Sequence, residues 1–254
     1  MALLKATKLS KVFGGLKAVS NFEVEIAPGG LIGLIGPNGA GKTTAFNLLT
    51  GVYEPTEGQI EFDGASIVGL KPYQITQRGI ARTFQNIRLF ADLSVLDNVK
   101  IAYHFHVKYG LLEAMLHMGR YHGEEAEIEA KAIKLLEIFQ LADKKDEIAK
   151  NLPYGEQRRL EIARALAAQP KLLLLDEPAA GMNPQETQQL MEMIRWIKKE
   201  FNLTILLIEH DMSLVMGVCE RIYVLDYGSI IAQGTPQEIK NNPRVIEAYL
   251  GEEV

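Results

Sequence analysis

Residues 31–44 read LIGLIGPNGAGKTT, and this stretch limits the fold more than any other. The apolar run 31–35 suits a buried parallel strand. The pattern G-x-x-x-x-G-K-[ST] follows it, and its glycines let successive backbone N–H groups turn inward around an anion. A helix is expected from Lys42 to about Thr50, with Gly51 placed to end it. Strand, phosphate-sized loop and helix in this order imply an α/β sheet with its working groups at the carboxyl ends of the strands.

The rest of the chain agrees. "LLKATKLSKVF" and "AVSNFEVEIA" alternate as an N-terminal antiparallel β part that ends at Pro28, Gly29 and Gly30, and "GQIEFDG" is a further strand between turns. From about 88 to 150 the texture becomes helical. Ile128, Ala132, Leu135, Leu136 and Phe139 recur at helical spacing, with Glu127 and Lys131 set as an i,i+4 pair. Strand texture returns in "KLLLLDE" (171–177) and "LTILLIEH" (203–210), with a helix between them over 185–200. "RIYVLDYGSIIAQG" reads as a hairpin, and Pro236 and Pro243 open two short helices. The expectation is a single domain over 1–254. Residues 1–87 and 159–254 would form a mainly parallel core, and 88–158 an inserted helical subdomain.

A chain of 254 residues, 47% hydrophobic and 23% charged, can bury a core without covalent staples. Its one cysteine, Cys219, has no internal partner, which points to a reducing cytoplasm. No run of about eighteen apolar residues is present, so no membrane span is expected, and no charged-then-apolar leader opens the sequence. A net charge of −5 argues against a nucleic-acid partner.

Within this frame Lys42 is placed to reach the β- and γ-phosphates of a nucleotide, and Thr43 to hold Mg²⁺. Asp176 and Glu177 stand where an apolar strand emerges. One carboxylate there can hold the metal through water while the other orients or deprotonates an attacking water. Alone, the pair would read equally well as ordinary solvated acids. His210 also ends an apolar strand, either as a γ-phosphate contact or as a capping residue. A second anion place stands far downstream, in "NLPYGEQRRLEIARALA" (151–167), where a proline and a glycine precede a strongly helical run carrying Arg158 and Arg159.

Together these pieces resemble an ATP-binding-cassette ATPase, a P-loop NTPase, over essentially the whole length. The resemblance makes Gly36, Pro37, Asn38, Gly39, Ala40, Gly41, Lys42, Thr43 and Thr44 the Walker A loop around ATP. Leu172 to Asp176 is Walker B, with Glu177 the catalytic glutamate and His210 the switch histidine. Gln85, in "RTFQN", matches the glutamine that touches the metal and the attacking water. Phe13 matches the aromatic residue that stacks on adenine, although an early Phe can also be core. "LPYGEQ" corresponds to the family signature, usually LSGGQ followed by Gln. In the family two cassettes pair head to tail, so Tyr154, Gly155 and Glu156 would meet the partner's nucleotide. This accounts for the second anion place.

Four positions depart from the pattern. Pro153 replaces the signature serine, Tyr154 the first glycine and Glu156 the glutamine, while Asn183 stands for the D-loop aspartate. Backbone N–H groups and the helix dipole are then the expected signature contacts. "RTFQNIRLFADLSVLDNV", "LPYGEQRRLEIARAL", "LLLLDEPAAGMNPQET", "TILLIEHDMSLVMG" and "NNPRVIEAYLG" further resemble the ATP-binding subunit of bacterial high-affinity branched-chain amino-acid importers. Cassettes for urea or amide import and for lipopolysaccharide export share several of these motifs. The resemblance implies hydrolysis of ATP to ADP and phosphate, with Mg²⁺ held by Thr43, Gln85 and Asp176. It also implies docking on permease subunits at the cytoplasmic face of the inner membrane, a second ABC ATPase subunit, and a solute-binding protein that delivers cargo. A soluble small-molecule kinase and a non-transport cassette acting on nucleic acid or ribosomes are the competing classes. The signature helix and His210 count against the first, and a single cassette without a long coiled-coil insertion counts against the second.

His104, His106, His117 and His122 crowd one stretch, but their spacing lacks the neighbouring cysteine or carboxylate pattern of a zinc site. "YHFHVKYGLLEAMLHMGRYH" suits packing in the helical subdomain, with contact to a membrane partner as the alternative.

Overall fold

The computed structural model describes residues 1–250. The chain opens with an antiparallel pair, β1 (Leu4–Phe13) and β2 (Leu16–Ile26). Then come β3 (Leu31–Ile35), α1 (Lys42–Leu49), β4 (Glu57–Phe62), β5 (Ala65–Ser66), α2 (Pro72–Gln77) and β6 (Ile80–Arg82). Four helices follow: α3 (Val95–Tyr103), α4 (Leu111–Leu116), α5 (Tyr121–Ile138) and α6 (Tyr154–Ala167). The last part runs β7 (Leu172–Asp176), α7 (Pro184–Glu200), β8 (Thr204–Ile208), α8 (Met212–Val218), β9 (Arg221–Asp226) and β10 (Ser229–Gly234). It ends with α9 (Pro236–Lys240) and α10 (Pro243–Leu250). Among the described residues no helix is long and apolar enough to cross a membrane.

Two compact units result, residues 1–82 with 171 onward, and residues 83–170. The first holds a sheet in the order β2-β1-β4-β5 and another in the order β10-β9-β3-β8-β7-β6. In the second sheet β9, β3, β8, β7 and β6 are parallel, and β10 closes one edge antiparallel. The strand sequences explain this placement. LIGLI, LLLLD and TILLI are buried at every position, as central parallel strands are, whereas β4 alternates toward its end. α1 buries Ala45, Phe46, Leu48 and Leu49 against the same core, which includes Phe22 and Phe62. α7 starts where Asn183 accepts the N–H groups of Gln185 and Glu186, while Glu186 accepts the Asn183 N–H in return. An amide oxygen caps a helix about as well as a carboxylate, so the departure at Asn183 leaves this cap intact.

In the helical unit α6 buries Leu160, Ile162, Ala163 and Leu166. It packs on α3, which buries Val95 and Val99, and on α5, which buries Ile128, Ala132, Leu135 and Leu136. That packing draws all of α6 into the helical unit. The division therefore falls at 82/83 and 170/171, instead of at 87/88 and 158/159. Packing in the subdomain also fails as an account of 111–118. Leu111 is 86% exposed and Met115 79%, with Leu112, Leu116 and Met118 exposed beside them.

Candidate functional site

The ends of three adjacent strands, β3, β8 and β7, carry the charged groups singled out in the sequence. Past β3 the chain bends through Gly36, where a Cβ would meet the Leu225 carbonyl oxygen at 1.9 Å. The loop returns at Gly41, whose φ of +102° begins α1 and whose missing Cβ leaves room for the Ala18 carbonyl. Lys42 is buried, and its Nζ donates to the carbonyls of Gly36 at 2.6 Å and Pro37 at 2.8 Å. The ammonium is thus held inside its own loop. Asn38, Gly39 and Thr43 are exposed.

Asp176 ends β7 in register with Ile208, which ends β8. Its Oδ2 accepts from Arg82 Nη2 at 2.6 Å. Glu177 follows with a left-handed φ of +45° and donates its N–H to the Ile208 carbonyl. An L residue adopts that conformation at a cost of about 1–3 kcal/mol, which the strand-end hydrogen bond offsets. His210 is exposed, and its Nδ1 lies 3.8 Å from Glu177 Oε2. Between them Glu209 is buried and accepts the N–H groups of Ala179 (2.7 Å), His210 (3.0 Å) and Asp211 (3.3 Å). Burial pushes its carboxyl above the usual range, against the pull of those donors. Glu209 thereby ties the segment after Glu177 to the segment carrying His210. Its place in the sequence, an acid directly after the apolar run 205–208, could have marked it.

Phe13 is 40% exposed and meets Tyr53 edge-on at 5.1 Å between ring centroids. It is therefore a surface aromatic and no part of the core. Thr43 and Asp176 offer a hydroxyl and a carboxylate, the hard oxygen donors that Mg²⁺ prefers. The loop's curvature, set by glycines that a Cβ would displace, fits a phosphate chain.

The other predicted residues belong to the helical unit. Gln85 is exposed, and its carbonyl accepts from Arg158 Nη2 at 2.8 Å. Arg158 also holds the Phe84 carbonyl and pairs with Glu161 at 2.8 Å, both side chains being almost wholly buried. Glu161 in turn accepts the N–H of Arg88 at 3.0 Å. The backbone around Gln85 is thus gripped by α6, an arrangement sequence reasoning missed. Tyr154 opens α6, 47% exposed, after Pro153 as its cap. Glu156 does not stand as a bare charge: Lys144 Nζ reaches both its oxygens, at 2.8 and 2.7 Å. Of the crowded histidines, His104 pairs with Glu125 and His106 with the Ala168 carbonyl, while His117 stacks on Tyr121 and meets His122 edge-on.

The chain is similar to known proteins along its length. Residues 19–180 match the ABC transporter family, and residues 229–254 match the branched-chain amino acid ATP-binding cassette transporter family. The chain is 49% identical over 250 residues to the high-affinity branched-chain amino acid transport ATP-binding protein LivG of Escherichia coli (strain K12), covering 98% of each. It is 44% identical to the corresponding protein BraF of Pseudomonas aeruginosa, again covering 98% of each. The crystal structure of the ADP conformation of MJ1267, an ATP-binding cassette of an ABC transporter, superposes with a TM-score of 0.85 at 31% identity, covering 99% of each chain. A dimeric post-hydrolysis structure of the cassette MJ0796, bound to ADP and Pi, gives 0.77 at 26% identity, covering 92% of this chain and 98% of that one.

Proposed function

Because the chain belongs to the ABC transporter family of ATP-binding cassettes, we propose that it is the ATP-hydrolysing subunit that powers import of branched-chain amino acids. The observation that carries this reading is the end-to-end likeness to LivG, together with a carboxyl-terminal segment matching the branched-chain amino-acid cassettes.

ATP enters at the loop 36–44, where backbone N–H groups and the amino end of α1 receive its phosphates. Lys42 exchanges its two loop carbonyls for phosphate oxygens, so the folded loop already holds the ammonium that the nucleotide needs. Phe13 offers its face to the adenine. Thr43 and Asp176 would hold Mg²⁺, which supplies charge neutralisation on the phosphates when bound. Glu177 accepts a proton from the water that attacks the γ-phosphorus, the bond to the β-bridging oxygen breaks, and ADP and phosphate result. His210 donates to the γ-phosphate from the neighbouring strand end. Tyr154, Gly155 and Glu156 serve the nucleotide of a second ABC ATPase subunit, identical or homologous, as in a head-to-tail pair; the dimeric cassette with ADP and Pi supports such pairing. The remaining partners are permease subunits at the inner face of the membrane and, through them, a solute-binding protein.

Glu156 tests the signature reading. Lys144 cancels its charge beside the partner's phosphate, so Lys144→Met is expected to slow hydrolysis by the assembled transporter severalfold. Adding Glu156→Gln should restore the rate, because the charge to be cancelled is gone. A double variant as slow as Lys144→Met alone would refute this compensation.

Purification of the tagged chain from detergent-solubilised membranes tests the assignment as a whole. Membrane-spanning permease subunits should co-purify in fixed proportion. Recovery of the chain with ribosomes or nucleic acid in their place would overturn it.

A further inference from the structure

Arg82 ends β6, a strand of three residues paired in parallel with β7 so that Arg82 stands beside Leu174. Its side chain runs forward past that register to the end of β7. There Nη2 donates to Asp176 Oδ2 at 2.6 Å. Nη1 donates to Asn47 Oδ1 at 2.7 Å and more weakly to Thr50 Oγ1 at 3.4 Å. The guanidinium carbon lies 5.5 Å from the centroid of the Phe46 ring. The side chains of Arg82 and Asp176 are 8% and 4% exposed. Asn47 and Phe46 belong to α1, the helix that begins at Lys42, and Thr50 caps it. One planar cation therefore bridges the helix of the phosphate loop and the carboxylate at the end of β7, a task for which the guanidinium fork is suited and an ammonium is not.

A buried carboxylate needs a counter-charge, and Asp176 has one before any metal arrives. A divalent cation drawn to the same carboxylate meets a positive charge already at ion-pair distance. In a site screened from water, that opposition is strong. We propose that Arg82 is the resident counter-ion of Asp176 and competes with Mg²⁺ for it, so that this pair sets the Mg²⁺ concentration at which the chain holds nucleotide tightly. The inference rests on the proposed role of Asp176 toward nucleotide-bound Mg²⁺. In the absence of the metal, Arg82 keeps the carboxylate neutralised and the end of β7 tied to α1. Arg82 is a positioning residue in this account, since it acts through Asp176.

The test is binding of a fluorescent ATP analogue to the full chain across a series of free Mg²⁺ concentrations. Arg82→Met should lower the Mg²⁺ midpoint by about tenfold, the scale of one screened charge interaction. Arg82→Lys, which keeps a cation, should shift it less. In an Asp176→Asn background, Arg82→Met should shift nothing, because the contested charge is absent; a purely structural role would leave the shift in place. Melting supplies a readout free of nucleotide: in chelator Arg82→Met should melt below the wild type and regain more stability than the wild type on adding Mg²⁺. Should Arg82→Met fail to fold, Arg82→Gln, uncharged but able to keep the hydrogen bond to Asn47, reads the same midpoint. A folded variant with an unchanged or raised midpoint, beside a Mg²⁺-dependent wild type, overturns this inference alone. A wild type whose nucleotide binding ignores Mg²⁺ overturns the proposed role of Asp176 as well.

Discussion

Glu177→Gln is expected to reduce ATP hydrolysis by roughly 10²–10⁴-fold, the range for removing a positioned general base, while nucleotide affinity stays near the wild-type value. The substitution keeps the shape and removes the charge and the basicity. Binding should survive because the Lys42 ammonium is held by the Gly36 and Pro37 carbonyls and the loop's curvature is set by Gly36 and Gly41. The left-handed backbone at Glu177 is no obstacle, since glutamine meets the same φ of +45° on the same terms. Hydrolysis assays with assembled partners, beside nucleotide titration of the isolated chain, separate the two effects. Near-wild-type turnover would remove Glu177 from the base's role.

The second large effect belongs to Gly36→Ala. The added methyl would stand 1.9 Å from the Leu225 carbonyl oxygen, a backbone atom of β9 that cannot turn aside. Either β3 and β9 part or the loop moves, and the cost should exceed about 4 kcal/mol, the exceptional end of single substitutions. ATP binding should be lost with it. Gly39→Ala gives the contrast. Its φ of +78° is strained for alanine, but nothing lies within 4 Å of the new Cβ, so the cost should stay near 1–2 kcal/mol. Urea unfolding of both variants, with and without ATP, checks the difference. Equal losses would show that backbone strain alone governs this loop.

Much of this architecture was legible in the sequence because its determinants are local. The loop 36–44 carries its own glycines, and the continuous apolar runs that became β3, β7 and β8 announce burial on both faces. The hairpin of β9 and β10 and the proline-started α9 and α10 were equally local. What stayed hidden depends on parallel pairing between distant segments. β6 has three residues and no strand pattern of its own, so neither it nor the reach of Arg82 to Asp176 could be read from the chain. Arg158 and Glu161 have the spacing of a solvated helix pair. They are buried because the backbone of residues 84–88 lies on them, a contact more than seventy positions away in sequence. The same packing moved the unit boundary, since α6 looked like the start of the returning core until α3 and α5 were seen against it. Residues 111–118 misled in the opposite sense: helical and apolar in sequence, they face outward.

Uptake of labelled leucine into proteoliposomes tests the central claim most directly, with the co-purified complex, its solute-binding protein outside and ATP enclosed on the cytoplasmic side. The account predicts accumulation that requires ATP and that Glu177→Gln stops without loss of ATP binding. Steady ATP hydrolysis with no uptake of leucine, isoleucine or valine, or uptake that persists in the Glu177→Gln complex, would contradict it.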